Sequence, residues 1–171
     1  MLKRKEQLFS DRLVLKQIKK SDKETFMKIV KNHLVKKTYM LPDFADEKME
    51  QLFFKKLSNL SLDLNRFVYG IYLKNKIIGF LNEVSKKDGE IEMGYFIDSN
   101  EWNKGYATDA LKTAIDELFR IGFSSVIAAH FENNPASGRV MQKCGMKRID
   151  REETITYRNN NHRCIYYQIK R

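Results

Sequence analysis

From Ile91 to Phe119 the apolar period of the chain changes from two to that of a helix, and a glycine stands at the change. Residues Ile91 to Ile97 alternate as a strand does, while Ala107, Leu111, Ala114, Ile115, Leu118 and Phe119 fall on one helical face. The sequence therefore predicts a strand that hands over to a helix through the stretch Glu101 to Leu111. Gly105 lies in that stretch, and its missing side chain lets a ligand approach the backbone. The first turn of the helix leaves amide N–H groups without intrahelical acceptors. Those donors, the positive end of the helix dipole and Lys104 beside them suit a phosphate or pyrophosphate. Taken alone, one such glycine reads more simply as an easy tight turn, so the segments around it have to decide.

Those segments alternate in type. Arg12 to Ile18 sets Leu13 and Leu15 on one side and Val14 and Lys16 on the other, as in a half-buried strand. Ser21 to Glu24 reads as a capping box for a first helix buried through Phe26, Ile29 and Val30. Beyond Pro42, Asp46 is placed to cap a second helix with the stripe Met49, Leu52, Phe53, Leu57 and Leu60. From Arg66 the period is two again: Phe67, Tyr69, Ile71 and Leu73 alternate, Lys74 to Lys76 turns, and Ile77 to Val84 returns. Asp88-Gly89 then marks the turn into Glu90 to Ile97.

The central helix is expected from about Gly105 to Arg120, with Gly122 at its C-terminal end. Ser125 to Phe131 is short, apolar and β-branched, a strand buried between neighbours and parallel to Glu90 to Ile97. Asn134-Pro135 caps and opens a short helix that Gly145 closes. Met146 to Tyr157 and Arg163 to Lys170 make a terminal hairpin around the polar turn Arg158 to His162. The expected fold class is α/β (α+β), a mixed, mostly antiparallel central sheet of about seven strands with helices packed on both faces.

A chain of 171 residues without a Gly/Ser/Pro-rich linker reads as one domain, 1–171, able to bury a core without staples. No apolar run is long enough to cross a bilayer, and the charged opening Met1 to Gln7 lacks a secretory core. A cytoplasmic location with no membrane partner is the expectation. Cys144 and Cys164 form no C-x-x-C pair, and His33, His130 and His162 have no metal-ligand spacing, so no metal is expected. The absence of G-x-S-x-G and of G-x-x-x-x-G-K-[ST] argues against the corresponding hydrolases and nucleotidases. A formal net charge of +10 favours anionic ligands or nucleic acid. Because the basic residues are dispersed and no nucleic-acid-binding motif accompanies them, nucleic acid is not expected as the partner.

Four stretches in order carry a resemblance: Ser10-Asp-Arg-Leu-Val-Leu15, Ile91-Glu-Met-Gly-Tyr95, Trp102-Asn-Lys-Gly-Tyr-Ala-Thr108, and Asn134-Pro-Ala-Ser137 with Lys143-Cys-Gly-Met146. Together with the element order, they resemble the RimJ/RimL-type branch of the GNAT superfamily of N-acetyltransferases over nearly the whole chain. The resemblance implies that acetyl-coenzyme A (acetyl-CoA) is the cofactor and that the two parallel strands splay apart to admit its thioester. Its pyrophosphate is expected on the backbone of Asn103, Lys104, Gly105, Tyr106, Ala107 and Thr108. Its pantetheine arm is expected along Tyr95, Phe96 and Ile97, with Asn134 holding a pantetheine amide or an ordered water. The family's loop usually carries Gln or Arg where this chain has Trp102, a change that the branch often tolerates and that bears on the phosphate contacts.

The chemistry implied is direct transfer of an acetyl group to a primary amine in a ternary complex. Glu92 is the expected general base, with Glu152 and Glu153 as weaker alternatives, and Ser137 is the expected proton donor to the leaving sulfur. The bland readings are a solvent-facing strand residue for Glu92, a first-turn helix serine for Ser137 and a plain N-cap for Asn134. Tyr95, Tyr106 and Phe131 are expected to pack rather than react. The acceptors associated with the branch are protein N-termini, polyamines and small amines, and the assembly expected is a monomer or homodimer. A cofactor-binding sensor without turnover and a basic nucleic-acid-binding protein are the alternative functions.

Overall fold

Three two-residue turns with both residues at positive φ set the register of the sheet: Lys74-Asn75, Asp88-Gly89 and Arg158-Asn159. Turns of this hand match the twist of antiparallel strands. The first joins β3 (Val68–Leu73) to β4 (Lys76–Lys87), and the second joins β4 to β5 (Glu90–Ile97). The third joins the closing strands β7 (Lys147–Tyr157) and β8 (Asn160–Lys170). That last turn is tighter than the expected Arg158 to His162 loop, because Asn160 to His162 already pair as strand. The structure, a computed structural model, describes residues 2–171.

The sheet has eight strands, one more than expected, in the order β1-β2-β3-β4-β5-β6-β8-β7. The addition is β1 (Leu8–Phe9), which pairs with β2 (Val14–Lys16), a shorter strand than the alternation from Arg12 implied. All neighbours are antiparallel except β5 and β6 (Ser125–Phe131), which run parallel. The crossover between these two is α4 (Tyr106–Arg120). It packs Leu111, Ala114, Ile115 and Leu118 on Ile91, Met93 and Val126 of the sheet. Helix α5 (Pro135–Lys143) adds Met141 to the same core.

The opposite face is covered, over β3 to β5, by α1 (Lys23–Lys31) and α3 (Glu47–Leu62). Phe26 is fully buried there, edge-on to Phe54 and Phe80 at 5.9 Å from each. Beneath β6 and β8 that face carries the smaller cluster Ile127, Phe131, Cys164 and Tyr166.

Local details differ from expectation in three places. Ser21 caps nothing; Lys20–Asp22 form a 3-10 turn, and the Asp22 carboxylate accepts from the Lys19 N–H at 2.8 Å. Asp46 does cap α3 through the Met49 N–H at 2.8 Å, yet Met49 and Leu52 stand exposed while Ser58 and Ser61 are buried. The helix is rotated because those hydroxyls are satisfied at the end of the first strand segment. Ser58 Oγ donates to the Ile18 carbonyl at 3.1 Å, and Ser61 Oγ accepts from the Ile18 N–H at 2.9 Å. Finally, a short helix not foreseen, α2 (His33–Lys36), starts where the Asn32 side chain accepts from the Leu34 N–H at 2.9 Å.

Gly79 pairs with Ile97 at the end of β5, where an added Cβ would lie 2.3 Å from the Phe96 carbonyl oxygen. Backbone cannot yield as a side chain does. Gly79→Ala is expected to lower stability by about 1–3 kcal/mol, measured by urea unfolding, whereas an unchanged midpoint would show that β5 yields freely there.

Candidate active site

β5 and β6 pair over only four residues each, from Glu90 with Ser125 to Met93 with Ala128. Beyond that point β5 stays with β4 as far as Ile97 opposite Gly79, and β6 stays with β8 as far as Phe131 opposite Cys164. A wedge therefore opens between two strands that remain paired on their other sides. Asp98 donates its N–H to Ile78 of β4 at 2.7 Å. Antiparallel alternation then turns the amides of Phe96 and Gly94 towards β4 and those of Tyr95 and Ile97 into the wedge. The expected splay is present, and it leaves strand-edge donors facing a cavity of about 270 Å³.

The far wall of this cavity is α5. Gly138 lets the helix come close to β6, since a Cβ there would lie 2.7 Å from His130 Nε2. Ser137 Oγ sits 2.8 Å from the Tyr95 hydroxyl, and both residues line the cavity. Burial holds the Tyr95 phenol protonated well above its ordinary range. Tyr95, expected only to pack, thus shares a hydrogen bond with the expected proton donor. Asn134 also lines the cavity; it stands at the N-cap position of α5, but its side chain makes no cap bond to the helix.

The other end of the cavity is the loop before α4. Asn103 and Gly105 take positive φ, +61° and +82°. Gly105 is the N-cap without a side chain, so no cap occupies the first-turn amides of Tyr106, Ala107 and Thr108. Asn103, Gly105 and those three residues line the cavity together with Phe96 and Ile97. Lys104 does not; its ammonium is bound to Glu101 at 2.8 Å and to the Asn100 carbonyl at 3.0 Å. The loop is braced by Arg12, which donates to Asp109 at 2.7 Å and to the Lys104 carbonyl at 2.8 Å. Its guanidinium also lies 4.9 Å from the Tyr106 ring centroid.

The sequence reading missed Arg139 and Lys143, which are one helical turn apart on α5 and line the cavity. Neither has a carboxylate within 4.0 Å among the described residues, so two cations with no ion-pair partner face the loop amides. Their spacing was visible, but an exposed basic pair on a short helix reads first as solvated surface.

Glu92 is not brought into this cavity. It alternates with Met93 and Tyr95 on β5 and projects from the opposite face of the sheet, with its side chain 15% exposed. There it lies 3.5 Å from Ser85 Oγ and 3.9 Å from Arg151. Burial raises its carboxyl above the ordinary range, opposed by Arg151 and reinforced by Glu153. The two alternatives behave in the opposite way. Arg163 and Arg148 hold Glu152 low, and Arg151 with the Tyr166 hydroxyl holds Glu153 low. Of the three carboxylates, Glu92 is the one left basic.

A second cavity, of about 470 Å³, opens beside the first, and Thr38 and Trp102 wall both. It lies between α2, the β6–α5 connection and the β7–β8 turn. Among the described residues no cluster of His, Cys, Asp and Glu could hold a metal ion.

The model of the acetyltransferase (GNAT) domain family matches residues 12–147. The chain is 27% identical over 125 residues to a Bacillus licheniformis protein named uncharacterized N-acetyltransferase p20, covering 71% of this chain and 68% of that one. A solved acetyltransferase (GNAT family) from Bacillus anthracis shares the fold with a TM-score of 0.80 at 22% identity, covering 96% of this chain and 98% of that one. So does RimL, a ribosomal L7/L12 alpha-N-protein acetyltransferase solved with coenzyme A, with a TM-score of 0.78 at 15% identity, covering 96% and 98%.

A Cβ at Gly105 would meet Arg12 Nη2 at 3.0 Å, and a valine would have to hold φ at +82°. Gly105→Val is expected to weaken coenzyme A binding at least about tenfold, measured by calorimetry. Unchanged affinity would remove the loop from the anion site.

Proposed function

This chain belongs to the acetyltransferase (GNAT) family and uses acetyl-CoA; we propose from that membership that it acetylates a primary amine by direct attack within a ternary complex. The observation that carries the reading is the parting of β5 from β6 after Met93 and Ala128. It sets unpaired amides, a hydroxyl pair and an uncapped helix start along one cavity.

The residues present fit the cofactor. The wedge amides of Tyr95 and Ile97 suit the amide-bearing pantetheine arm, and the amides of Tyr106, Ala107 and Thr108 with Asn103 and Gly105 suit a pyrophosphate. Arg139 and Lys143 supply positive charge opposite that loop, while Asn134 has a side chain uncommitted to its helix. When bound, the cofactor supplies an acetyl group activated as a thioester. The Tyr95 N–H at the wedge is placed to stabilise charge that develops on an acyl oxygen.

Two proton movements are assigned to this chain's own groups. Glu92 removes the proton of the incoming amine from the face opposite the cavity, through water, with Arg151 holding its carboxylate. Ser137 Oγ gives a proton to the departing sulfur and regains one from solvent once the product has left, while the Tyr95 hydroxyl at 2.8 Å stays protonated and holds Ser137 in place. The buried, unbridged thiols Cys144 and Cys164 support action in the reducing cytoplasm, and the whole chain is taken as one catalytic domain. The many lysine and arginine side chains committed to carboxylates support a small-molecule or peptide acceptor over nucleic acid.

Thiol release from acetyl-CoA against N-terminal peptides, polyamines and aminoglycosides tests the activity; cofactor binding with no release for any amine would leave a sensor. The base must be ionised to act, so the rate should fall as pH drops through the raised Glu92 value. Glu92→Gln is expected to lower kcat by about 100-fold with KM for acetyl-CoA unchanged and the acidic limb of the pH profile gone. Retention of that limb in the variant would remove Glu92 from the role. Ser137→Ala should lower kcat by about tenfold without changing the affinity for coenzyme A, read from single-turnover rates.

A further inference from the structure

We propose that the acceptor is an anionic amine, a primary amine carrying a phosphate or carboxylate that docks in the second cavity; this rests on the acetyltransferase reading above. The cavity is walled by Lys36, Lys37, Arg158, His162, Asn133 and Asn160, and among the described residues no carboxylate lines it. The nearest carboxylate is Asp43, and it is shared. Lys36 reaches it at 2.6 Å and Arg158 at 2.7 Å, both through Oδ1, with Arg158 also 2.7 Å from Oδ2. One carboxylate against two cations leaves one positive charge over, and Lys37 has no carboxylate within 4.0 Å among the described residues. Two positive charges are therefore unbalanced at the wall of a cleft, and their field favours an anion there.

Position ties this field to the reaction. Trp102 and Thr38 separate the second cavity from the cofactor cavity. Trp102 is fixed there by its indole N–H, which donates to the Ile97 carbonyl at 2.8 Å. On the other side His162 stacks 4.4 Å from Phe131, the last residue of β6 at the wedge. A molecule in the second cavity thus borders the mouth of the wedge. The β7–β8 turn is held over it where the Tyr157 hydroxyl donates to the Leu41 carbonyl at 2.9 Å.

The charges act on the anionic end of such an acceptor, which pairs with Lys37 and Arg158, whereas a polycation is repelled. The acidic residues near the second cavity are already engaged. Glu50 binds Lys31 at 2.9 Å, Asp46 caps α3, and Asp43 is shared as described.

The test compares acceptors matched except for charge: O-phosphoethanolamine with ethanolamine, the tripeptide Ala-Glu-Glu with Ala-Lys-Lys, and spermidine. The anionic member of at least one pair is expected to show kcat/KM at least about tenfold higher, and which pair does so separates a phosphate from a peptide carboxylate. Lys37→Glu should abolish or invert the preference with KM for acetyl-CoA unchanged, and Arg158→Gln should reduce it. Preference for spermidine or Ala-Lys-Lys, or a charge ratio unmoved by Lys37→Glu, would overturn the proposal. Calorimetric titration of O-phosphoethanolamine and Ala-Glu-Glu into the coenzyme A complex is independent of turnover. Binding lost in Lys37→Glu supports the pocket even if transfer fails, and no binding of either ligand refutes it.

Discussion

β5 and β6 are held to each other by four residue pairs, and each then follows a different neighbour. The sheet is thus divided into a β1–β5 half and a β6–β8–β7 half, each complete in its own hydrogen bonds but not in those between them. An edge amide left bare in a dry gap costs about 1–3 kcal/mol. The wedge is therefore stable only if it stays wet or is filled by a ligand with its own polar groups. A parallel pair has no hairpin to close it, and its crossover, α4, begins beside the gap. The same topology consequently yields the wedge, the free strand edge and the uncapped helix start. Gly138 and Gly105 are where the backbone has to come close or turn sharply for these three to face one cavity.

Charge is distributed across the two faces of the sheet to different ends. On the cofactor side, Arg139 and Lys143 have no ion-pair partner among the described residues, while Lys104 and Arg12 are spent on holding the loop. On the other side, Glu50 pairs with Lys31, and Asp43 with both Lys36 and Arg158. Part of the chain's net positive charge is left over at the walls of two adjoining cavities, where an anionic cofactor and, on the proposal above, an anionic acceptor meet.

Strands, turns and the two longer helices were readable because each depends on local chemistry: period-two apolarity, Asp88-Gly89, an N-cap at Asp46, a glycine past Arg120. Failures occurred where distant residues decide. Ser58 and Ser61 are buried because Ile18, far away in the chain, supplies their partners, so an apolar-stripe reading rotated α3 by the wrong amount. β1 consists of two residues and exists only through β2. The site shows the same division. The loop from Asn103 to Thr108 followed from glycine and helix-end physics together with the family resemblance. By contrast, Arg139 and Lys143 needed the direction of α5, and the Tyr95 contact with Ser137 needed the packing of a helix against a strand. The opposite projection of Glu92 was implicit in strand alternation, since residues adjacent on a strand face opposite sides. A base assigned to Glu92 must therefore serve an amine arriving from the face away from the cofactor.

Trp102 is the one position where the loop departs from the family's usual pattern, and its contacts explain why the departure is tolerated. The phosphate-binding potential of the loop resides in backbone amides after Gly105, which no side chain at position 102 supplies or removes. What the indole provides instead is a fixed partition. Its N–H binds the Ile97 carbonyl, which would otherwise be an unpaired acceptor at the end of β5, so the strand terminus is satisfied without β6. Its ring then stands between the cofactor cavity and the second cavity. A flexible glutamine or arginine could bond the same carbonyl but would not present a rigid apolar wall there. The substitution exchanges a flexible polar side chain for a rigid wall between the two cavities, and on the proposal above that wall borders the acceptor.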